Sequence, residues 1–161
     1  MTNQSDDDFI LFSPPSVDAR EMDAVAAAVG SGWLTTGPRV AEFERRFAEF
    51  VGAPAALAVS SGTDAMQIAL AALGVGPGAE VITSTMTFCS TAHVIEHVGA
   101  TPVLVDVEPD TLNLDPDAVA AAVTPRTKAI LPVHLYGHPC DMDPVMDIAR
   151  EHHLQVVQDA A

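Results

Sequence analysis

The chain has 161 residues, of which 48% are hydrophobic, and its 22 acidic residues outnumber its 7 basic ones, for a formal net charge of −15. This length and hydrophobic content are those of an ordinary folded domain and exclude a disordered chain. The negative charge repels nucleic acid and anionic membranes, and no apolar stretch of the sequence is long enough to span a bilayer.

The chain opens with a polar, acidic stretch. Residues 1–15 are predicted to form a loose N-terminal arm that ends at Pro14-Pro15. The arm lacks the basic start and the apolar run of a secretory signal, so we expect a cytoplasmic protein. The two cysteines, Cys89 and Cys140, have no metal-binding or redox spacing, and we expect reduced, buried thiols.

Two helices are predicted next. The first begins at Ser16, a good N-cap, and ends at Gly30 or Gly32. The second covers residues 39–51, with Val40, Phe43, Phe47 and Phe50 at helical spacing, and its aromatic residues are predicted to be core rather than cofactor contacts. The loop between the helices holds the only tryptophan, Trp33, which is either a packing anchor or part of a binding wall.

A strand, a polar turn and a helix are predicted over residues 55–73. Five apolar residues, 55–59, form the strand, and the helix begins near Gly62. A helix that begins this way directs free N–H groups and the positive end of its dipole outward, which suits a phosphate group. An ordinary helix cap has the same pattern, so both interpretations stay open.

Two common phosphate motifs are excluded. A P-loop requires lysine after its last glycine, and here Gly62 is followed by Thr63. A dinucleotide-binding fingerprint lies between a strand and the following helix, whereas the Gly-rich run 74–78 follows a helix. Gly74 is therefore predicted to end that helix, and an anion site at Gly62 would serve another class of cofactor.

From residue 80 onward, short apolar strands alternate with helices. Strands are predicted at residues 80–84, 101–105, 127–133 and 154–157. Between successive strands, helices are predicted after Thr91, from Asp115 and from Asp143. This alternation predicts an α/β fold of three layers, α/β/α, with a mostly parallel sheet. Ligands of such sheets bind beyond the carboxyl ends of the strands. The segments predicted to converge there are 61–63, 87–88, 134–136 and Asp159.

Six short stretches of the sequence form a further pattern: Trp33-Leu-Thr-Thr-Gly-Pro38, Ser61-Gly-Thr63, Thr87-Phe88 with Ser90-Thr91, Asp106-Val-Glu108 with Asn113-Leu-Asp-Pro116, Pro132-Val-His-Leu-Tyr-Gly137 and Asp159-Ala-Ala161. Their order and spacing resemble the N-terminal part of a fold-type I pyridoxal-phosphate (PLP) enzyme of the DegT/DnrJ/EryC1/StrS sugar aminotransferase family. The resemblance runs from Ser16 to the last residue.

The resemblance implies roles for the matching residues. Gly62 and Thr63 would bind the phosphate of PLP, Phe88 would stack on its pyridine ring, and Asp159 would pair with the protonated ring nitrogen. The loop over residues 33–38 would lie near the substrate. The substrate-binding residues implied there are Trp33, Thr36 and Gly37.

The resemblance also implies an activity: transfer of an amino group from an amino-acid donor to a nucleotide-linked keto-sugar by a homodimer. Family members deliver a Schiff-base lysine from beyond the last matching residue. We therefore expect that residues 16–161 form the PLP-binding large domain without its C-terminal part, that no catalytic residue lies in this chain, and that these 161 residues alone are inactive. The only lysine, Lys128, begins a strand, and Gln158 stands where members often have Glu.

Two other interpretations stay open. His93, Glu96 and His97 match the H-x-x-E-H pattern of zinc peptidases, which needs a further ligand from elsewhere. The chain could also be an inactive truncated remnant or a partner-binding fragment. The downstream reading frame separates this last possibility from an enzyme.

Overall fold

A computed structural model of the chain describes residues 14–161. Two compact units divide the chain, the first ending at Ala58 and the second covering Val59–Ala161. The predicted arm falls outside the described residues except for its last two positions. The single large domain over residues 16–161 stays a prediction.

The first unit contains helix α1 (Ala19–Gly30) and helix α2 (Pro38–Val51). The predicted N-cap, Ser16, is wrong by two residues. Asp18 is the N-cap: its carboxylate accepts a hydrogen bond from the Arg20 amide at 2.7 Å, and the Glu21 carboxylate accepts one from the Asp18 amide at 2.8 Å. This reciprocal capping box provides acceptors for two amides at the start of the helix, those of Asp18 and Arg20. A hydroxyl at Ser16 does not provide both acceptors.

The aromatic face of α2 is exposed. Phe43, Phe47 and Phe50 are 55%, 46% and 88% exposed, and Ala48 is the one buried residue of this helix. The prediction that these phenylalanines belong to the core is therefore wrong for the described residues. Helical periodicity identifies an apolar face but not the surface that packs against it.

The strand predicted over residues 55–59 is absent. These residues have no strand hydrogen-bonding pattern, and the Ala58 amide instead donates to the Glu44 carboxylate at 2.8 Å. Leu57 is 72% exposed. An apolar run becomes a strand only where a neighbouring backbone pairs with it, and residues 14–161 provide no such neighbour here.

The second unit is built on a four-stranded sheet with the order β2-β1-β3-β4, in which every pair is parallel. The strands are β1 (Glu80–Ser84), β2 (Thr101–Val105), β3 (Thr127–Leu131) and β4 (Gln155–Val156). The predicted α/β class with a parallel sheet is confirmed. β3 is two residues shorter than predicted, and a single bridge between Val133 and Asp159 continues its pairing with the last segment.

Helices cover both faces of this sheet. They are α3 (Gly62–Ala72), α4 (Ser90–His97), α5 (Pro116–Ala122) and α6 (Met142–Glu151). Successive residues of β1 point to opposite faces: Val81 packs in a core with residues of α3 and α4, and Ile82 packs in a core with residues of α5 and α6. This alternation produces the three layers.

Local capping chemistry explains most helix ends in this unit. Asp115 caps α5 and precedes Pro116 at the first helical position, and Gly74 follows α3 with φ +74, both as predicted. α6 begins at Met142, one residue before the predicted start at Asp143, and its N-cap is Asp141, whose carboxylate accepts a hydrogen bond from the Asp143 amide at 3.3 Å. Among residues 14–161, no helix combines the length and apolar character that a membrane crossing requires.

Candidate active site

A cavity of 580 Å³ lies in the second unit, beyond the carboxyl ends of the strands. The four segments predicted to converge all contribute to its wall, so the predicted convergence is confirmed. Its lining residues are Gly62, Thr63, Met66, Met86, Thr87, Phe88, Ser90, Val133, His134, Leu135, Tyr136, Asp159 and Ala161. A parallel sheet places its strand ends on one edge, and this is why 87–88, 134–136 and Asp159, which follow β1, β3 and β4, meet there. Residues 61–63 follow no strand among residues 14–161 and reach this edge as the start of α3, which packs in one core with α4.

The N-terminus of α3 opens on this cavity. Ser61 is the N-cap, and its hydroxyl accepts a hydrogen bond from the Asp64 amide at 3.1 Å. The first intrahelical bond is made by the Ala65 amide to the Ser61 carbonyl at 3.0 Å. Within residues 14–161 the amides of Gly62 and Thr63 have no acceptor, so two N–H donors and the positive helix end are available to an anion.

Asp64 sits in the first turn of the same helix. Its carboxylate accepts hydrogen bonds from the hydroxyls of Ser60 and, at 3.0 Å, Ser61. Those two hydroxyls, Ser60 first, lower the pKa of Asp64 below its ordinary value. The carboxylate is thus ionised at neutral pH and occupied by donors at the helix start.

Asp159 lies buried at the carboxyl end of the sheet, with 7% of its surface exposed. Its amide donates to the Pro132 carbonyl and its carbonyl accepts from the His134 amide, both at 2.9 Å. One carboxylate oxygen accepts from the Thr91 hydroxyl at 2.9 Å, and the other accepts from the Ala161 amide at 3.2 Å. A carboxylate has about four acceptor positions, so Asp159 can still accept a hydrogen bond from a donor in the cavity.

Phe88 belongs to the loop between β1 and α4. Its side chain is 74% exposed and contributes to the cavity wall. An aromatic ring left uncovered beside a cavity provides a flat apolar surface for a ligand ring. All four residues predicted to hold the cofactor, Gly62, Thr63, Phe88 and Asp159, therefore line one cavity, while their roles stay predictions.

The chain matches the DegT/DnrJ/EryC1/StrS aminotransferase family over residues 15–161. It belongs to this family. Spore coat polysaccharide biosynthesis protein SpsC of Bacillus subtilis is 52% identical over 153 residues, which are 95% of this chain and 39% of SpsC. GDP-perosamine synthase of Caulobacter vibrioides is 46% identical over 153 residues, which are 94% of this chain and 41% of that enzyme. The chain spans about two fifths of the length of these curated relatives.

A solved structure agrees with this assignment. NtdA from Bacillus subtilis, determined with bound cofactor PMP, superposes with a TM-score of 0.83 at 40% identity. The match covers 86% of this chain and 32% of the NtdA chain. The fold expected from the resemblance to the DegT/DnrJ/EryC1/StrS family is therefore confirmed for this part of the protein.

Residues 33–38, which carry part of the resemblance, form a bend that leads into α2 in the first unit. The Trp33 indole donates a hydrogen bond from Nε1 to the Thr36 carbonyl at 2.8 Å. A Cβ at position 37 would lie 1.8 Å from that nitrogen, so the close approach of the ring requires Gly37. Trp33, Thr36 and Gly37 are thus brought together, and Trp33 is 58% exposed. Their contact with a substrate stays a prediction.

The family motif that contains His134 is explained by its hydrogen bonds. The Cys140 amide donates to Nδ1 of His134 at 3.0 Å, so the neutral ring carries its proton on Nε2. Nε2 lies 2.9 Å from the Gln158 side-chain oxygen. A Glu at position 158 also supplies an oxygen acceptor, and the Gln158 departure therefore preserves this contact.

The contact between the Thr91 hydroxyl and Asp159, 68 residues apart in sequence, was not predicted. No local signal in a helix start indicates such a contact. The prediction that both thiols are buried is wrong for Cys89, which is exposed. Cys140 is buried, and burial raises the pKa of its thiol.

The alternative zinc site rests on two histidines of α4. The rings of His93 and His97 lie 6.4 Å apart between centroids. Across residues 14–161, no group of three or more His, Cys, Asp or Glu side chains is arranged to hold a metal ion.

Proposed function

We propose that this protein is a PLP-dependent aminotransferase that transfers an amino group from an amino acid to a nucleotide-linked keto-sugar. The observation that carries the proposal is that one cavity is lined both by the helix-start amides of Gly62 and Thr63, which have no acceptor among residues 14–161, and by the buried carboxylate of Asp159. Membership of the aminotransferase family supports the reaction type. The GDP-linked sugar in the name of a 46% identical relative supports the substrate class.

The residues of the cavity fit PLP. The helix-start amides suit its phosphate group because free N–H groups and the helix dipole both favour an anion. Phe88 offers an exposed ring as a face for a pyridine ring. Asp159 keeps acceptor capacity for a protonated ring nitrogen. When bound, PLP supplies the electron sink that transamination requires.

The chain's own residues then act by binding and by holding charge. Gly62 and Thr63 would anchor the phosphate through N–H donors. The Asp159 carboxylate, held between Thr91 and the Ala161 amide, would accept a hydrogen bond from the ring nitrogen and hold the proton on that atom. A fixed negative charge in a buried position serves this purpose better than one in water, because its field is less screened.

We also propose the location, the assembly and the amino donor of this protein. The resemblance to the family supports a cytoplasmic homodimer that uses an amino-acid donor. Light scattering of the protein encoded by the gene, in the presence of PLP, tests the assembly. A monomer that binds PLP and is active contradicts the homodimer.

The test of the proposed function uses the protein as its gene encodes it. The purified protein is incubated with PLP, a panel of amino-acid donors and a panel of nucleotide-linked keto-sugars, and products are identified by mass spectrometry. The expected product carries an amino group in place of the keto oxygen. Absence of PLP binding, or a deoxygenated sugar without nitrogen, contradicts the proposal.

The Asp159→Asn variant makes this test specific. We expect it to retain PLP, because the amide fills the same space, but to lose turnover on the order of 10²–10³-fold, as for other groups that stabilise charge directly. Asp143→Asn is the matched control, since Asp143 is exposed in the first turn of α6 and lies outside the cavity. Near-normal turnover in Asp159→Asn contradicts the assigned role.

A further inference from the structure

We propose that Thr91 and Thr87 are positioning residues that orient the Asp159 carboxylate through a chain of two hydroxyl groups. This inference rests on the proposed function and adds two residues to it. The Thr87 and Thr91 hydroxyl oxygens lie 2.8 Å apart, and the Thr91 hydroxyl lies 2.9 Å from one oxygen of Asp159. Both threonines come from the segment that begins just after β1.

The direction of the chain follows from the donors available. An ionised carboxylate only accepts hydrogen bonds, so the single hydroxyl proton of Thr91 is donated in the hydrogen bond to Asp159. The oxygen of Thr91 is then left as an acceptor, and Thr87 must donate to it. The two hydroxyl dipoles therefore align toward the negative charge, and each bond polarises the next.

Burial makes this contact hard to replace. Thr91 has 0% of its surface exposed and Asp159 has 7%. Water cannot take the place of the Thr91 hydroxyl without a cavity, so a variant that lacks the hydroxyl leaves one carboxylate oxygen without its donor. Among residues 14–161, the other oxygen accepts only from the Ala161 amide, at the longer distance of 3.2 Å.

The chain also links Asp159 to the wall of the cavity. Thr87 lines the cavity beside Phe88, whereas Thr91 lies behind that wall. The loop that presents Phe88 and the carboxylate of Asp159 are thus tied together by side-chain hydrogen bonds. Loss of Thr91 is expected to affect both the orientation of the charge and the loop that carries Phe88.

The experiment compares Thr91→Val with Thr91→Ser in the full protein. Valine keeps the shape of threonine without a donor, whereas serine keeps the donor. We expect Thr91→Val to lower kcat on the order of ten- to a hundredfold, the range for loss of one hydrogen bond to a charged group, with the KM for the sugar unchanged. Thr91→Ser should restore most of the activity, and Thr87→Val should show a smaller loss.

A spectroscopic measurement separates positioning from a merely structural role. The ¹⁵N chemical shift of PLP labelled at its ring nitrogen reports whether that nitrogen is protonated. We expect Thr91→Val to shift the signal toward the neutral form, and Thr91→Ser to leave it unchanged. In an Asp159→Asn background, Thr91→Val should add no further shift, since residues that act as one unit are not additive.

Thr83→Val is the matched control. Thr83 is also fully buried, and its hydroxyl donates at 2.7 Å to the Leu131 carbonyl instead of to Asp159. Its loss should alter stability without a change in the ¹⁵N signal. One outcome is that the wild type binds PLP and aminates a sugar while Thr91→Val leaves both the ¹⁵N signal and kcat unchanged. That result overturns this inference alone. Failure of the wild type to bind PLP overturns the proposed function.

Discussion

Thr63 is the second residue of α3 and lies on the wall of the cavity, and it has both a side-chain hydroxyl and a backbone amide without an acceptor in the described part of the chain. A residue at this position can offer two donors to one phosphate group, whereas Gly62 offers only its amide. The side chain of Thr63 can therefore be removed without loss of the backbone contribution. This separation makes Thr63 the sharper test of the phosphate site.

We expect Thr63→Ala to weaken PLP binding by about 1.5–3 kcal/mol, because a hydrogen bond to a charged phosphate is lost. Equilibrium dialysis of the full protein with PLP provides the measurement. Thr63→Ser keeps the hydroxyl and is the control. Equal PLP affinity of Thr63→Ala and wild type contradicts the phosphate assignment.

The turn around Trp33 supplies a second prediction for a single residue. We expect Gly37→Ala to displace the indole and break its hydrogen bond to the Thr36 carbonyl, at a cost of about 1–3 kcal/mol for overpacking. The emission spectrum of Trp33 and a urea titration measure the two effects. Gly30→Ala is the control, because a Cβ at Gly30 meets no atom within 4 Å. An unshifted spectrum in Gly37→Ala contradicts the prediction.

At the scale of elements, a network at the amino end of the sheet joins β1 to the loop before β3. Glu80 in β1 is buried, and its carboxylate accepts hydrogen bonds from the Thr124 hydroxyl and, at 2.9 Å, from Nε of Arg126. The Thr124 hydroxyl, followed by Arg126, lowers the pKa of Glu80 below its ordinary value. A network at the end opposite the cavity contributes to the fold rather than to the site.

We expect this network to make stability depend on pH in the acid range. Because the pKa of Glu80 is lowered in the folded state, its contribution is present above the pKa of the unfolded chain and is lost as the pH falls through the folded value. Glu80→Gln should therefore be destabilised at pH 7 and less so at pH 3. Urea unfolding at both values measures this, with exposed Glu151→Gln as control. An equal loss at pH 3 and pH 7 contradicts the prediction.

At the scale of the whole molecule, the direction of the parallel strands decides which side chains can reach the cavity. Lys128 is exposed and is the second residue of β3, whereas Val133 and His134 lie beyond the other end of that strand and line the cavity. Five to six residues of strand span about 17–20 Å. Lys128 therefore lies at the end of the sheet opposite the cavity. A lysine side chain is much shorter than the strand, so it cannot reach PLP bound in that cavity.

We expect PLP to leave Lys128 unmodified. The full protein is incubated with PLP, reduced with borohydride and mapped by mass spectrometry. Lys128→Arg should bind PLP as the wild type does. Stoichiometric label on Lys128 that is abolished by Asp159→Ala contradicts both the strand direction and the assignment of the cavity.

Several helix ends of the second unit could be predicted from capping residues close in sequence. Asp115 before Pro116 and Gly74 after α3 mark helix ends through hydrogen bonds within a few residues, so each can be predicted without knowledge of the fold. Alternating apolar strands and helices determine a parallel sheet, and such a sheet brings its carboxyl ends together. This is why the positions of Phe88 and Asp159 on one cavity could be predicted from the sequence. Gly62 and Thr63 also line it, but the strand predicted before them is absent, and the packing of α3 brings them there.

Tertiary structure decided what depends on partners distant in sequence. The apolar run 55–59 is not a strand, because no backbone among residues 14–161 pairs with it. The phenylalanines of α2 are exposed, and helical periodicity could not predict this because it identifies an apolar face but not the surface that packs against it. The contact of Thr91 with Asp159 spans 68 residues. A hydroxyl at a helix start looks the same whether it faces solvent or a buried carboxylate, and only the packing of α4 against the sheet distinguishes the two.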